Sequence, residues 1–294
     1  MTRFIDDKKI PSDLPANGII VFIYLPNPDN QTTYKYLVFT DKDSYSVEEL
    51  CVLSAKKLSM KPPTIPLLGL VSVKHERFWP AYSRYIKVPP SGTTQYILRV
   101  RYRLPSHKVK EIWEYNPDMI MYLFWQMLDD LVNDRIPNLE EKSILGYSST
   151  AVFCTTRNED KTVDYMRFVP FSVRKQYSRP DKSYQLKLSL KKCVKDIQED
   201  YKQKKQLDSA KYLVLDVLKN SESYMCETYD VTSQHGGKKK QLIISEHLVT
   251  IRTDADNKGK IYQVIIWLYS LYSCIKPVIQ SIQLLIFLAI FNKL

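Results

Sequence analysis

The spacing of apolar positions changes period several times along the chain, and each change predicts an element. "GIIVFIYLP" and "YKYLVF" are runs of β-forming residues separated by the turn-forming "NPDNQTT", a pattern that predicts a hairpin. In "SVEELCVLSAKKL" the period lengthens. Val47, Leu50, Cys51, Ala55 and Leu58 fall on one helical face, and Ser46 with Glu49 matches the S-x-x-E capping box. "LLGLVSV", "RFWPAY" and "QYILRVRY" return to strand-like composition.

The next stretch is helical. Asn116 suits an N-cap, Pro117 the first helical position, and Asp118 complements the helix dipole. Ile120, Phe124, Met127 and Leu131 repeat along one face, while Tyr122, Trp125, Leu128 and Val132 widen it, as in a helix enclosed by others. The run ends at Asp129 and Asp130 and falls short of the about 20 apolar residues that a bilayer span needs. A further helix is predicted over "SYQLKLSLKKCVKDIQEDYKQKK", where Leu190, Val194, Ile197 and Tyr201 share one stripe and Lys187, Lys191 and Lys195 another. From about Lys211, "KYLVLDVL", "SYMCETYDV" and "KQLIISEHLVTIR" predict strands that open a β-sandwich or barrel, with the turn cluster "QHGGKK" before the last.

The tail from Val264 to Phe291 is mostly apolar and carries one charge, Lys276, which precedes Pro277. As a whole it is long enough to span a bilayer, but the Lys-Pro step divides it into two runs of about a dozen residues, each too short alone. Three readings stay open: membrane contact, a buried C-terminal helix, or sequence foreign to this fold.

A chain of 294 residues and 34.5 kDa suggests two or three compact units. The net charge of +11 favours acidic partners: a membrane surface, an acidic peptide or a nucleic acid. Cys51, Cys154, Cys193, Cys226 and Cys274 are far apart and form no C-x-x-C pair, so neither a zinc site nor a disulfide framework is signalled and a reducing cytosol fits. "MTRFIDDKKIPSDLP" has no apolar signal-peptide core and is expected to be a flexible leader.

Catalytic motifs are missing. With 7 glycines and neither G-x-G-x-x-G nor G-x-x-x-x-G-K-[ST], no loop is set to wrap a phosphate, and the kinase H-R-D and D-F-G are absent too. His75, His107, His235 and His247 occur singly, without metal-ligand spacing, and are expected on surfaces or loops. Asp129 and Asp130 point about 100° apart on a helix, which rules out a joint acid and base and suggests a solvated helix end. No catalytic residue, metal site or cofactor is assigned.

Charge is what remains. Between Ser172 and Lys211 twelve Lys or Arg face five Asp or Glu, so that segment carries a large share of the excess. The plain reading is a solvated helix face. The functional one is a docking surface for an acidic peptide or anionic lipid headgroups, with Arg174, Lys175, Lys187, Lys191 and Lys195 as its candidate contacts. Nucleic acid is the weaker option, because aromatic and basic residues do not interleave on a strand.

Hairpin, helix and further strands over about residues 18–103 resemble the ubiquitin-like β-grasp. The succession of β-grasp, helical bundle and β-sandwich is that of the three-lobe FERM module. "YLFWQMLDDLV" resembles the second-lobe pattern Y-L-F-x-Q-x-x-x-D-[FL]-V of Janus-family non-receptor tyrosine kinases, at Tyr122, Leu123, Phe124, Gln126, Asp130, Leu131 and Val132. "RVRYRLP", Arg99 to Pro105, is similar to the R-[IV]-R-[FY]-x-[FL]-P that closes the first lobe there, and "LGYSSTAVFCTTR" and "KYLVLDVL" are looser matches. The likeness covers about residues 18–263 and stops inside the third lobe, before any kinase part. It suggests an alternatively terminated or mispredicted product of a longer kinase gene; a fragment of that kind would occupy a receptor as a decoy.

The expected fold is therefore α+β with a three-lobe FERM architecture: a leader (1–17), a ubiquitin-like lobe (18–105), a helical acyl-CoA-binding-protein-like lobe (106–210), a truncated PH-like lobe (211–263) and the apolar tail (264–294). The resemblance implies a non-catalytic module in JAK-STAT signalling that binds the cytoplasmic juxtamembrane segment of a cytokine-type receptor. It would act in the cytoplasm, at the inner face of the plasma or endosomal membrane. The alternative is a membrane-cytoskeleton linker of the ezrin or band 4.1 type that binds phosphoinositides and protein tails.

Overall fold

A computed structural model of the chain describes residues 14–24, 34–73, 79–101, 103–137, 139–155, 164–200, 206–221, 224–232, 239–244, 249–253 and 256–262. The chain divides into two compact units, Met1–Met225 and Cys226–Leu294. Residues 1–13 of the expected leader and the apolar tail lie outside the described residues, as does most of the "QHGGKK" turn, whereas Leu14 packs against the core and Asn17 already belongs to the first strand.

The first unit opens with the expected hairpin. β1 (Asn17–Tyr24) and β2 (Tyr34–Phe39) pair antiparallel, with Ile19 opposite Phe39 and Tyr24 opposite Tyr34. On its other side β1 runs parallel to β6 (Gly92–Val100), and β6 pairs antiparallel with β4 (Leu68–Ser72). The order β2-β1-β6-β4 gives a mixed sheet with its parallel pair at the centre. β3 (Ser44–Ser46) and β5 (Tyr85–Lys87) form a small ladder that was too short to leave a pattern.

α1 (Val47–Lys57) buries the predicted face: Val47, Leu50, Cys51 and Ala55 are inaccessible and Leu58 is partly covered. Ser46 caps it by accepting from the Glu49 N–H at 3.0 Å, and the Glu49 carboxylate pairs with Lys42. The free N–H groups of Val47 and Glu48 donate to the carbonyls of Arg84 and Tyr82, so the start of the helix is tied to the chain leading into β5.

"RFWPAY" was expected as a strand, but its described residues, 79–82, form an anchored loop. Pro80 has no N–H for a ladder. A Cβ on Gly69 would meet the Trp79 ring at 3.0 Å, and the Arg101 guanidinium lies 5.7 Å from that ring's centre. The Tyr82 hydroxyl donates to the carbonyls of Pro66 and Leu68. Side-chain packing on β4 therefore holds this segment in place without strand pairing.

Among the described residues six α-helices follow: α2 (Ser106–Tyr115), α3 (Pro117–Val132), α4 (Glu141–Thr155), α5 (Phe171–Gln176), α6 (Pro180–Asp200) and α7 (Gln206–Asn220). α3 begins at Pro117 as expected, yet Asn116 does not cap it. Its side-chain amide instead donates to Thr64 Oγ1 at 2.8 Å, tying the helix start to the 3-10 turn Pro62–Leu67. One continuous core joins the sheet to α1, α2, α3 and α7. A second cluster, around Leu128, Ala151, Phe168 and Val194, binds α3, α4 and α6.

"KYLVLDVL" is the clearest misreading: it forms the second half of α7 instead of a strand. Ala210, Leu213, Val214, Val217 and Leu218 are all buried, at i, i+3, i+4, i+7 and i+8. That stripe has a helical period, but β-branched residues and the short window gave it a strand's composition. The second unit is an antiparallel meander in the order β10-β9-β8-β7, from β7 (Glu227–Thr232), β8 (Lys239–Ile244), β9 (Val249–Thr253) and β10 (Asp256–Tyr262). "KQLIISEHLVTIR", expected as one strand, supplies both β8 and β9, and β10 was not anticipated.

Phe124 is fully buried, whereas Trp125 is partly exposed between two core clusters. Phe124→Ala is predicted to destabilise the chain by about 3–5 kcal/mol and Trp125→Ala by less. Urea unfolding of the two variants checks this, and equal losses would contradict the placement of the rings.

Candidate docking site

The five candidate residues lie on α5 and α6, which are separated by only three residues. Val173 of α5 packs with Leu186 and Leu190 of α6 and with Val169. Burying Leu186, Leu190 and Val194 turns the opposite side of α6 outward, so Lys187, Lys191 and Lys195 are exposed as the spacing predicted. The Lys191 ammonium lies 5.8 Å from the centre of the Tyr165 ring. Lys175 is exposed. Arg174 departs from the expectation: it is half-buried, with its guanidinium 5.8 Å from the Phe171 ring centre and its Nε without a hydrogen-bond partner. Among the described residues no carboxylate pairs with Lys187 or Lys195.

α5 is held from below by the C-terminal turn of α3. Asp134, with φ +57°, accepts from the Ser172 N–H at 2.8 Å and from its hydroxyl at 2.5 Å. The same turn begins at Asp129 and Asp130, which were expected to be solvated. Both are buried, at 3% and 1% exposure. The Asp130 carboxylate accepts from Arg99 Nη2 at 2.5 Å, from the Tyr224 hydroxyl at 2.6 Å and from Arg135 at 3.3 Å. Arg135 also pairs with Asp129 at 2.6 Å, and the other arm of Arg99 donates to the Tyr24 hydroxyl at 2.6 Å.

Around this charge centre α3 is stitched to β6. The Val100 N–H donates to Gln126 Oε1 at 2.7 Å, and Gln126 Nε2 donates back to the Val100 carbonyl at 3.2 Å. The Tyr122 hydroxyl donates to the Leu98 carbonyl at 2.6 Å. Arg103 donates to the carbonyl of Leu218 in the last turn of α7 and to those of Ser221 and Tyr224 just beyond it, covering acceptors that the helix itself does not engage. Sequence reasoning missed this joint. Its one visible signal was Arg99, a charge between the apolar Leu98 and Val100 at a strand end buried on both faces.

Nothing in this centre is arranged for catalysis. Its carboxylates are engaged by Arg99, Arg135 and Tyr224, and elsewhere burial pushes the Cys51 and Cys154 thiols up to about 12, far from the thiolate a nucleophile needs. Among the described residues no cluster of His, Cys, Asp or Glu is suited to a metal, and no helix is long and apolar enough to cross a membrane. His107 is exposed, as expected; His75, His235 and His247 lie outside the described residues.

Comparison with known proteins agrees with this architecture. Residues 19–112 match the FERM F1 ubiquitin-like domain. The crystal structure of the FERM and C-terminal domain complex of Drosophila Merlin is similar with a TM-score of 0.63 and 14% identity, over 84% of this chain and 79% of that one. The Dictyostelium discoideum myosin VII MyTH4-FERM MF2 domain (mutant 1) gives 0.58 and 13%, over 84% and 51%. The human myosin 7b C-terminal MyTH4-FERM domain in complex with the harmonin-a PDZ3 domain gives 0.52 and 12%, over 84% and 52%. The chain thus spans about half the length of the two myosin chains. No curated protein matches it in sequence. The fold is FERM-like, with a ubiquitin-like β-grasp followed by helices, and these matches bring no kinase domain with them.

Burial pushes the Asp130 carboxyl up, but the Arg99 and Arg135 guanidiniums and the hydrogen bonds from Arg99 and Tyr224 outweigh it and hold the group below its ordinary value. A depressed folded-state value gives stability that is present above the unfolded value, about 4, and lost as pH falls beneath it. The melting temperature is predicted to drop steeply below about pH 4, and Asp130→Asn to lack that component. At neutral pH the variant should already be destabilised by about 3–5 kcal/mol, because it leaves Arg99 buried without its counter-charge. Thermal melts of both proteins across that pH range check the prediction; a neutral-pH melt unchanged by the substitution would refute it.

Proposed function

We propose that this chain is a non-catalytic docking module that takes an acidic segment of a partner protein's tail on the basic face of α5 and α6. Lys187, Lys191 and Lys195 form the main contact, with Lys175 and Arg174 beside them. The observation that carries the reading is the exposed lysine row on α6, held on a FERM-like scaffold. Merlin's FERM domain is in complex with a C-terminal domain, and the myosin 7b MyTH4-FERM domain with harmonin-a PDZ3. Protein partners of this general kind are what we assign to the present chain.

The finer assignment is the cytoplasmic juxtamembrane segment of a cytokine-type receptor, bound at the inner face of a plasma or endosomal membrane. It rests on the resemblance of "RVRYRLP" and "YLFWQMLDDLV" to Janus-family motifs. In that assignment residues 18–105 form the first lobe and the helical lobe begins at 106.

Calorimetric titration of the full chain with an acidic, proline-containing juxtamembrane receptor peptide tests the proposal. Exposed ion pairs contribute roughly 0.2–1 kcal/mol each, so Lys187→Glu, Lys191→Glu and Lys195→Glu together should weaken saturable binding by about tenfold or more. The effect should shrink as salt is raised. A folded sample that ignores the peptide but binds phosphoinositide vesicles would reject receptor docking and assign the chain to the ezrin or band 4.1 type of linker.

A further inference from the structure

The outward face of α6 carries more than charge. Tyr184 is 64% exposed and Leu188 48% exposed. Four residues apart on a helix, they are stacked neighbours and form one apolar ridge. Lys187 lies one turn from Tyr184, and Lys191, Lys192 and Lys195 continue from Leu188 on the same side of the helix. The side that packs is a different one, marked by Leu186, Leu190 and Val194. Isolated exposed apolar residues need no explanation. A stacked pair bordered by four lysines, of which Lys187, Lys192 and Lys195 pair with no carboxylate among the described residues, is a surface of mixed chemistry.

The occupant's conformation follows from what a helix face lacks. Within a helix the backbone N–H and C=O groups are already bonded to one another, so an extended segment laid there finds no ladder to join. A helix satisfies its own backbone and can press one whole apolar side onto Tyr184 and Leu188, which makes it the segment best suited to cover them. Its apolar side must meet the ridge and its flanks must be negative to match the lysines. We infer that α6 binds an acidic amphipathic helix, with Tyr184 and Leu188 as its apolar anchors and Lys187, Lys191, Lys192 and Lys195 as its charged border. This rests on the reading of that face as a docking site and names the class of segment it takes.

The probe is a synthetic end-blocked peptide of about five helical turns, with leucines on one face and glutamates elsewhere. A control has the same composition with its leucines spread evenly around the helix. Each is titrated into the full chain, in parallel with vesicles of phosphatidylcholine and phosphatidylserine. The expected result is saturable binding of the amphipathic peptide at least about tenfold tighter than the control, with the mixture more helical than the sum of its parts. Tyr184→Ser with Leu188→Ser should cost about tenfold in affinity and remove the binding that survives raised salt, while the melting temperature stays put because both side chains are exposed. Unchanged affinity in that double variant, with loss only on lysine reversal, overturns the inference and leaves the docking proposal standing. Vesicle binding that depends on Tyr184 and Leu188, without peptide binding, overturns it in favour of a membrane surface. Failure of both sets of substitutions to affect any ligand overturns both proposals.

Discussion

The first unit turns on the Asp130 carboxylate, placed between the guanidiniums of Arg99 and Arg135 with the Tyr224 hydroxyl closing the site. Charges taken out of water are costly, and only good geometry with every remaining polar atom satisfied compensates. Four segments supply the contacts around the carboxylate together: β1 through Tyr24, β6 through Arg99, the end of α3, and the residues after α7 through Tyr224. Displacing any one would leave a buried charge or hydroxyl unpaired. The centre therefore adds a directional constraint on how α3 and α7 sit on the sheet to the apolar packing around it.

That constraint reaches the proposed docking face through a short covalent path. Arg135 and Asp134 are sequence neighbours: one closes the charge centre, and the other holds the start of α5 through Ser172. α5 in turn packs on α6 through Val173. The basic row and the Tyr184–Leu188 ridge are presented by a helix whose support is continuous with the most specific contacts in the unit. A surface that recognises a partner by the spacing of its side chains benefits from such a footing, since less ordering is left to binding.

Much of this was legible in the sequence wherever an element's own residues determine it. The β1–β2 hairpin, the Ser46 cap, the buried face of α1, the extent of α3 and the outward lysines of α6 all follow from local period and turn chemistry. What escaped depends on distant partners. Asp129 and Asp130 looked like a solvated end because nothing nearby in sequence neutralises them; Arg99 stands 31 residues before Asp130 and Tyr224 94 after it. α7 looked like a strand because its stripe begins at Ala210, outside the apolar cluster that drew attention. Tyr184 and Leu188 escaped for the opposite reason: an aromatic and a leucine at helical spacing suggest a core, and their exposure became visible only once Leu186 and Leu190 had taken the inward side.

The two motifs that carried the family resemblance prove to be the two halves of one joint. In "RVRYRLP", Arg99 reaches Asp130, the Val100 backbone reaches Gln126, and Arg103 covers the end of α7. In "YLFWQMLDDLV", Tyr122, Gln126 and Asp130 turn back toward β6 while Phe124 fills the core. Their spacing is set by the need to lock a helical bundle onto a β-grasp, a need that any module of this architecture faces whatever it binds. The motifs therefore act on the partner only indirectly, through how they assemble the helices on the sheet, and the proposed receptor assignment draws on them as a resemblance and not as contacts. In the proposed reading, a receptor tail and a lipid headgroup are told apart by the residues that the joint leaves on the outside of α6, where charge and apolar exposure are free to follow the ligand.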